Sequence, residues 1–442
     1  MTEEEMRLED DAIVPWLRQV SPYFQNHRNK TFVVYFGGEA VAGPGFANLV
    51  RDLVLLAAVG IRLVIVFGAR PQIEERLAAK GIAPRFVGRL RVSDDEIMAE
   101  ISEVVGAMRL AIESAFSLGS RGPITSAASK IASGNFVLAM PAGIIDGVDL
   151  GFTGLVRSVD RGAIESRLNH GEIVLLAPLG YSPTGDLFNM RAADLAAAVA
   201  GQIESAKLVL IAGTEGIRSA DGTLHRQLTV REAVDLQETK SDTDEEYGLL
   251  DTAVDACQSG VERVHIVSRF VDGAILRELF TRDGIGTLIS SAPFDHLRQA
   301  VVEDVGGILE LIQPLAARGV LVKRSREQLE AEIDHFVVMV RESTVVACGA
   351  LYPYEGQPTG EVACVAVHPD YRGGQFGDVL LEELERRAQD MGISTLFVLT
   401  TQAVQWFSER GFDNGTMKSL PVEKRELYNY QRNSAVLVKS LT

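Results

Sequence analysis

Six short apolar runs, set apart by stretches with helical spacing, fix the kind of fold the first two thirds of this chain can adopt. They are "TFVVYFG", "RLVIVFG", "NFVLAM", "EIVLLAPLG", "KLVLIAG" and "RVHIVS", all between Thr31 and Ser268. Runs that are apolar at nearly every position suit strands buried on both faces, and such strands belong to parallel sheets covered by helices. The segments between them, among them "GFANLVRDLVLLAAVG", "SDDEIMAEISEVVGAMRLAIESAF" and "NMRAADLAAAVAGQIES", carry helical spacing. The alternation predicts a mainly parallel α/β/α sandwich from Thr31 to about Ser291. Ligands of such sheets meet the carboxyl ends of the strands, here the turns "YFGGEA" and "VFGAR".

At 442 residues the chain is too long for one core. The proline-bearing polar stretch "SSAPFDHLRQ" marks the boundary, giving one domain over residues 1–292, a linker over 293–298 and a second domain over 299–442. The second domain has an α+β pattern. Hairpin strands "HFVVMVRESTVVACGALYPY" and "GEVACVAVHPDYRGG" precede a helix, "GDVLLEELERRAQDMG", and a strand, "STLFVLTT". The acidic run "ETKSDTDEEYG" reads as a solvated loop. A formal charge of −17 argues against nucleic-acid or anionic-membrane partners, whose phosphates need clustered cations. Three widely spaced cysteines suit a reducing cytoplasm and neither a disulfide framework nor a metal site. The acidic N-terminus lacks the order of a signal peptide, and no stretch is apolar enough to span a membrane.

The segment "VAVHPDYRGGQFGDVLLEELERRA" carries the most chemistry. A strand, a glycine-rich arginine loop and a helix follow in that order, which turns backbone N–H groups towards a diphosphate. The loop Arg372-Gly373-Gly374-Gln375-Phe376-Gly377 resembles the acetyl-CoA loop of the GNAT acyltransferases, with Gln375 where glycine is usual. "STLFVLTT" is similar to the family's next strand, which splays from its neighbour to admit pantetheine. "QWFSERGF" resembles its aromatic-rich helix and turn. The resemblance implies acetyl-CoA contacts from Val365, Ala366, Val367, the loop 372–377 and Phe407. Phe407 stands where many members carry a proton-donating tyrosine, so Thr400, with Tyr428 behind it, is the substitute. Acetyl transfer to an amine needs a base, an oxyanion site and a proton for the departing thiolate. Glu361 opens "EVACVAV" and is the candidate base; a strand-start carboxylate facing solvent is the plain alternative. Main-chain N–H groups around Cys364 and Val365 are the candidate oxyanion site.

Cations at two points suit an acceptor with two carboxylates. "VLVKRSREQLE" places Lys323, Arg324 and Arg326 at an expected strand-to-helix junction. "LPVEKRELYNYQRNSAVLV" supplies Lys424, Arg425 and Arg432. Surface solvation is the expectation for Lys323, Arg326 and Lys424. Together with the first domain, these motifs resemble the bacterial N-acetylglutamate synthases over essentially the whole chain. That resemblance implies acetyl-CoA as cosubstrate, no metal, and L-glutamate as acceptor in the first step of arginine biosynthesis. It also implies Glu361 and Thr400 as catalytic residues and Arg324, Arg432 and the Cys364 main chain as glutamate ligands.

The first domain resembles N-acetylglutamate kinase without its chemistry. Tyr35 stands in place of the phosphoryl-stabilising lysine, Gly213 in place of an aspartate, and "EYGLLDTAVDA" in place of a lysine-bearing turn. Phosphoryl transfer depends on positioning and charge neutralisation, so these losses remove it. "LRELFTRDGIGTLIS" resembles the effector segment of the arginine-sensitive kinases. The resemblance implies an arginine site built from Tyr23, Lys207, Glu278 and the turn at Gly284, and a homo-oligomer, hexamer or tetramer. The competing readings are an amino-acid-regulated protein lysine acetyltransferase, a working kinase with an accessory domain, and a non-catalytic arginine-binding module.

Overall fold

In a computed structural model the chain divides into two compact units, Met1–Ala292 and Pro293–Thr442. The structure describes residues 17, 20–119, 130–219, 221–240, 244–281, 284–291, 296–341, 344–354, 356–371, 376–426 and 434–441.

The first unit is built on an eight-stranded sheet. Its strands are β1 (Thr31–Phe36), β2 (Arg62–Phe67), β3 (Ile131–Ser133), β4 (Ile173–Leu176), β5 (Lys207–Ala212), β6 (Gln227–Thr229), β7 (Arg263–Ser268) and β8 (Thr287–Ser290). Their order is β6-β8-β7-β5-β1-β2-β4-β3. All neighbours are parallel except β7 and β8. β1 lies between β2 and β5, and its side chains feed two cores. Val33 joins Val64, Leu208 and Leu195 on one face, while Phe32 and Val34 join Ile65, Leu53 and Val54 on the other. The helix Phe46–Ala58 covers the second face with Val50, Leu53 and Val54, a spacing that puts all three on one stripe.

Two expectations change here. The run "NFVLAM" does not enter the main sheet; Val137–Pro141 belongs to a separate four-stranded sheet, and Ile131–Ser133 takes the edge position instead. Val137 and Ala139 are buried but Leu138 and Met140 are exposed, so this strand has one core face, not two. The acidic run is also not wholly a loop: Glu245 begins the helix Glu245–Gln258, which packs on the first core through Leu249, Leu250 and Ala253.

The second unit is a seven-stranded sheet of β9 (His296–Gln299), β10 (Phe336–Arg341), β11 (Thr344–Pro353), β12 (Thr359–Val367), β13 (Thr395–Thr400), β14 (Asp413–Asn414) and β15 (Ala435–Ser440). The order is β9-β10-β11-β12-β13-β15-β14, and only β12 and β13 are parallel. Residues 296–298, expected in the linker, are instead part of the edge strand β9, paired along β10. The helix Val305–Ala317 packs on one face, where Ile308 and Ile312 meet Cys348, Cys364 and Ala366. The helix Phe376–Asp390 packs on the other, where Leu380 and Leu384 meet Ala347 and Val362. The segment leading to Arg324 forms no strand. It enters the helix Arg326–Ala331 through a capping box of Ser325 and Gln328.

The close approach of Gly286 to β7 gives a stability test. A Cβ there would stand 2.0 Å from the Ile266 carbonyl oxygen, and backbone cannot yield as a side chain does. Gly286→Ala is expected to lower the thermal unfolding midpoint by several degrees, on the order of 2 kcal/mol or more. An unchanged midpoint would contradict the packing described.

Candidate active site

Two strands that pair and then part define the site. β12 and β13 pair at Thr359 with Thr395, Gly360 with Leu396 and Glu361 with Phe397, and no further. β13 instead pairs along its whole length with β15, from Thr395 opposite Ser440 to Thr400 opposite Ala435. β12 bends away at a bulge, where Cys364 and Val365 oppose Gly349 alone. Cys364 has φ +53°, a left-handed conformation that a side chain disfavours. The bulge takes main-chain groups out of the ladder, and the Cys364 carbonyl accepts the Cys348 thiol at 3.5 Å instead.

Glu361 occupies the last paired rung and is buried, so the solvent-facing alternative fails. Its Oε2 accepts the Tyr354 hydroxyl at 3.1 Å and lies 2.7 Å from Lys424 Nζ. Lys424, expected to be solvated, therefore neutralises a carboxylate that would be costly to bury alone. Thr400 closes the other wall. Its Oγ1 accepts the N–H of Ala403 at 2.9 Å and that of Gln402 at 3.4 Å. Both acceptor positions are thus used, and the hydroxyl hydrogen is left to donate.

Arg324 reaches the same bulge. Its Nη1 donates to Cys364 Sγ at 2.7 Å, and its Nε lies 3.6 Å from Glu332 Oε2. Burial pushes the Cys364 thiol up to about 11, with Arg324 pulling the other way, so the sulfur meets the guanidinium as a neutral thiol. Arg326 pairs with Glu330 on the helix surface, as solvation would have it. Val365 and Val367 pack on the Phe376–Asp390 helix side and Ala366 on the opposite side. Phe376 and Gly377 begin that helix, and Trp406 lies against Gly377, where a Cβ would stand 2.9 Å from its ring. Phe407 is buried between Trp406 and Phe412. Arg372, Gly373, Gly374 and Gln375 lie outside the described residues, as do Tyr428 and Arg432. Tyr354 and Trp406 were not singled out from the sequence.

In the first unit the expected effector residues form a buried polar chain. Lys207 Nζ lies 3.2 Å from His265 Nε2, and His265 Nδ1 lies 2.7 Å from Glu278 Oε1. A carboxylate only accepts, so Nδ1 donates its proton to Glu278. Glu278 Oε2 accepts the N–H groups of Ile285 at 2.7 Å and Gly286 at 2.9 Å. The turn at Gly284 thus offers amides to the carboxylate. Gly284 has φ +57°, and a Cβ there would stand 2.5 Å from Glu278 Oε2, so glycine is required twice over. The Tyr23 ring lies 6.3 Å from that of His27 and tilted by 55°, and His27 Nε2 bonds the Leu279 carbonyl at 3.0 Å. His265 and His27 had no signal beyond a histidine inside an apolar run and one in a helix.

The kinase edge of the sheet is filled by the protein's own groups. Burial pushes the Tyr35 hydroxyl up to about 12, with Glu39 adding, so it stays neutral where a cation would be needed. The Gly213 amide donates to Glu245 Oε1 at 2.7 Å, which puts an anion at the end of β5. Arg191 and Arg89 are spent on Asp194 and Asp251. A cavity of about 440 Å³ nearby is lined by Glu39, Asp52 and Asp272 against Arg269 alone. Burial, with Asp272 adding, pushes the Asp52 carboxyl up to about 6. That charge balance repels phosphate.

Comparison with known proteins agrees with this division. Residues 30–268 match the amino acid kinase family and residues 308–412 the acetyltransferase (GNAT) family. An amino-acid acetyltransferase of Pseudomonas paraeruginosa is 49% identical over 430 residues, 97% of this chain and 99% of that protein. The N-acetylglutamate synthase of Neisseria gonorrhoeae, solved with coenzyme A and L-arginine, is 37% identical with a TM-score of 0.90, covering 97% of this chain and 99% of that one. The same enzyme with coenzyme A and N-acetyl-glutamate gives a TM-score of 0.63 at the same identity and coverage.

Glu278 makes the buried chain testable by pH. Burial alone would raise its carboxyl, but the His265 hydrogen bond and charge, followed by the two amides, outweigh it and hold it at about 2, against 4.5 unperturbed. The folded pKa is depressed, so the stabilisation is full above about 4.5 and lost as pH falls through about 2. The stability gap between wild type and Glu278→Gln, by denaturant unfolding, is expected to be roughly 3 kcal/mol larger at pH 7 than at pH 2. A gap independent of pH would show that the carboxylate is not held this way.

Proposed function

This chain belongs to the amino-acid acetyltransferase family, and we propose that it transfers acetyl from acetyl-CoA to the α-amine of L-glutamate, giving N-acetyl-L-glutamate and CoA. This is the first step of L-arginine biosynthesis. The observation that carries the reading is the parted pair of strands, with a buried carboxylate on one wall, a donating hydroxyl on the other and a guanidinium at the bulge. The enzyme of Neisseria gonorrhoeae, bound to coenzyme A in one case with L-arginine and in another with N-acetyl-glutamate, supports the choice of ligands.

The proposed chemistry follows from those groups. The amine nitrogen attacks the thioester carbon, and its proton passes to Glu361 directly or through a water. Main-chain N–H groups at Cys364 and Val365 stabilise the oxyanion. The C–S bond breaks, and Thr400 passes its hydroxyl proton to the departing thiolate while regaining one from solvent. Arg324 binds one carboxylate of the acceptor by exchanging its thiol contact for a charge-assisted pair, and Arg432 binds the other. Val365, Ala366, Val367, the loop 372–377 and Phe407 would hold the CoA. The preference of Arg324 for a small anionic acceptor disfavours a protein lysine, whose binding groove would be acidic.

L-Arginine is the proposed inhibitor, bound in the first unit by Glu278, Lys207, Tyr23 and the turn at Gly284, with His265 ordering the first two. Inhibition is then a coupling free energy, with arginine lowering the affinity for a substrate or the turnover of the other unit. Three free, buried cysteines among the described residues support a cytoplasmic location. The family resemblance supports a hexamer or tetramer.

Thiol release from acetyl-CoA tests the reading, with L-glutamate as acceptor and D-glutamate, L-aspartate and a lysine peptide as controls. Release with L-glutamate alone, lowered by L-arginine, is expected. Glu361→Gln should lower kcat about 100-fold with KM for acetyl-CoA kept. Thr400→Val should lower kcat at least tenfold and Thr400→Ser should restore it. Release with the peptide only would overturn the assignment, and release unaffected by arginine would overturn the effector.

A further inference from the structure

The hairpin that leads into Glu361 carries two tyrosines, Tyr352 and Tyr354, in "LYPYEG". Tyr352 is paired directly opposite Glu361 and Pro353 opposite Gly360. The Tyr354 N–H then closes the hairpin on the Thr359 carbonyl at 3.2 Å. Both rings are therefore fixed by the backbone that also fixes the candidate base. Their hydroxyls go to different partners.

The Tyr354 hydroxyl donates to Glu361 Oε2 at 3.1 Å, and its ring lies 5.8 Å from that of Phe397, the residue paired with Glu361 on the last rung. With Lys424 on the same oxygen, Oε2 has two donors, and Oε1 accepts none among the described residues. That asymmetry turns one oxygen away from the acceptor and leaves the other to meet its amine. Burial, with the Glu361 charge adding, keeps the phenol protonated well above its ordinary range, so it remains a donor at any working pH.

The Tyr352 hydroxyl donates to Glu332 Oε2 at 2.6 Å. The same oxygen lies 3.6 Å from Arg324 Nε, and the Tyr352 ring centroid lies 5.7 Å from the Arg324 guanidinium carbon. The ring is held by His335 at 4.8 Å and by Phe336, edge-on, at 6.5 Å. Arg324 is thus braced by a face, a carboxylate and the Cys364 sulfur before any ligand arrives.

We infer that the two tyrosines of one strand are separate positioning residues for the two halves of the acceptor site, Tyr354 for the base and Tyr352 for the carboxylate-binding arginine. The inference rests on the acetyl transfer proposed above. It divides the labour between two hydroxyls two residues apart in sequence, which act on chemistry and on binding respectively. A hydrogen bond to a charged group is worth about a factor of ten or more in the step it serves.

Steady-state kinetics of single variants test the division. Tyr354→Phe is expected to lower kcat about tenfold, with KM for L-glutamate and for acetyl-CoA within about twofold of wild type. Tyr352→Phe is expected to raise KM for L-glutamate about tenfold, with kcat within about twofold. Thermal midpoints recorded beside the kinetics separate a loss of fold from a loss of position. If both variants change kcat and KM together, or neither changes either, the division is wrong. Glu361→Gln and Arg324→Gln run in parallel distinguish the two failures. If these leave kcat and KM for L-glutamate unchanged, the proposed transfer itself falls. If they show their losses while the tyrosine variants show no split, only the positioning inference falls.

Discussion

The acetyl-transfer site depends on the end of pairing between β12 and β13. Up to Glu361 and Phe397 the two strands share a ladder; past them each finds hydrogen bonds elsewhere or leaves them open. β13 can turn away because β15 satisfies its other edge along six residue pairs. β12 can turn away because a residue inserted at Cys364 bends it and is held in a left-handed conformation. The left-handed conformation at Cys364 is held in place because its side chain packs in one cluster with the Val305–Ala317 helix. The groups proposed for catalysis and binding then fall on the two lips of the opening: Glu361 at its root, Thr400 at the end of the facing strand, and Arg324 across the bulge.

The first unit keeps the sheet of the amino acid kinase family, and its strand ends are occupied by the protein's own groups. The sheet needs only its apolar strands, and β1 keeps them. The strand ends hold internal contacts: a neutral tyrosine, a carboxylate on the Gly213 amide, and arginines paired with aspartates. At the base of the same sheet, Lys207 at the start of β5 and His265 within β7 lie on adjacent strands and lead to Glu278. The two ends of the sheet therefore have opposite characters. One end is filled by its own ion pairs, and the other carries an ordered lysine–imidazole–carboxylate chain beside the helical residues 20–27.

The sequence exposed the architecture wherever burial was two-sided. Runs such as "KLVLIA" are apolar at every position but the first, because both faces of β5 are covered. "NFVLAM" looked the same, and only its alternating burial reveals a one-faced strand in another sheet. Glu361 and Thr400 were legible because they sit inside motifs with a fixed order along the chain. Lys424 was not: it meets Glu361 from far along the chain, and a lysine in a charged segment gives no sign of the carboxylate that needs it. Tyr354 was hidden for the same reason, since a tyrosine at a strand end looks like any aromatic at a turn. The conformation of Cys364 has no sequence signal, because residues other than glycine and asparagine seldom adopt it. His265 could have been weighed more heavily, as a polar ring inside a fully apolar strand must find partners.

The most direct measurement is a crystal structure of this chain with CoA and N-acetyl-L-glutamate bound together. The expected density places the CoA sulfur in the gap between β12 and β13 beside Thr400, with the acetyl oxygen directed at the amides of Cys364 and Val365. The amide nitrogen of N-acetyl-L-glutamate should then lie towards Glu361, and one of its carboxylates should lie on Arg324 in place of the thiol. CoA bound away from the parted strands, or N-acetyl-L-glutamate with no contact to Glu361 or Arg324, would contradict the account.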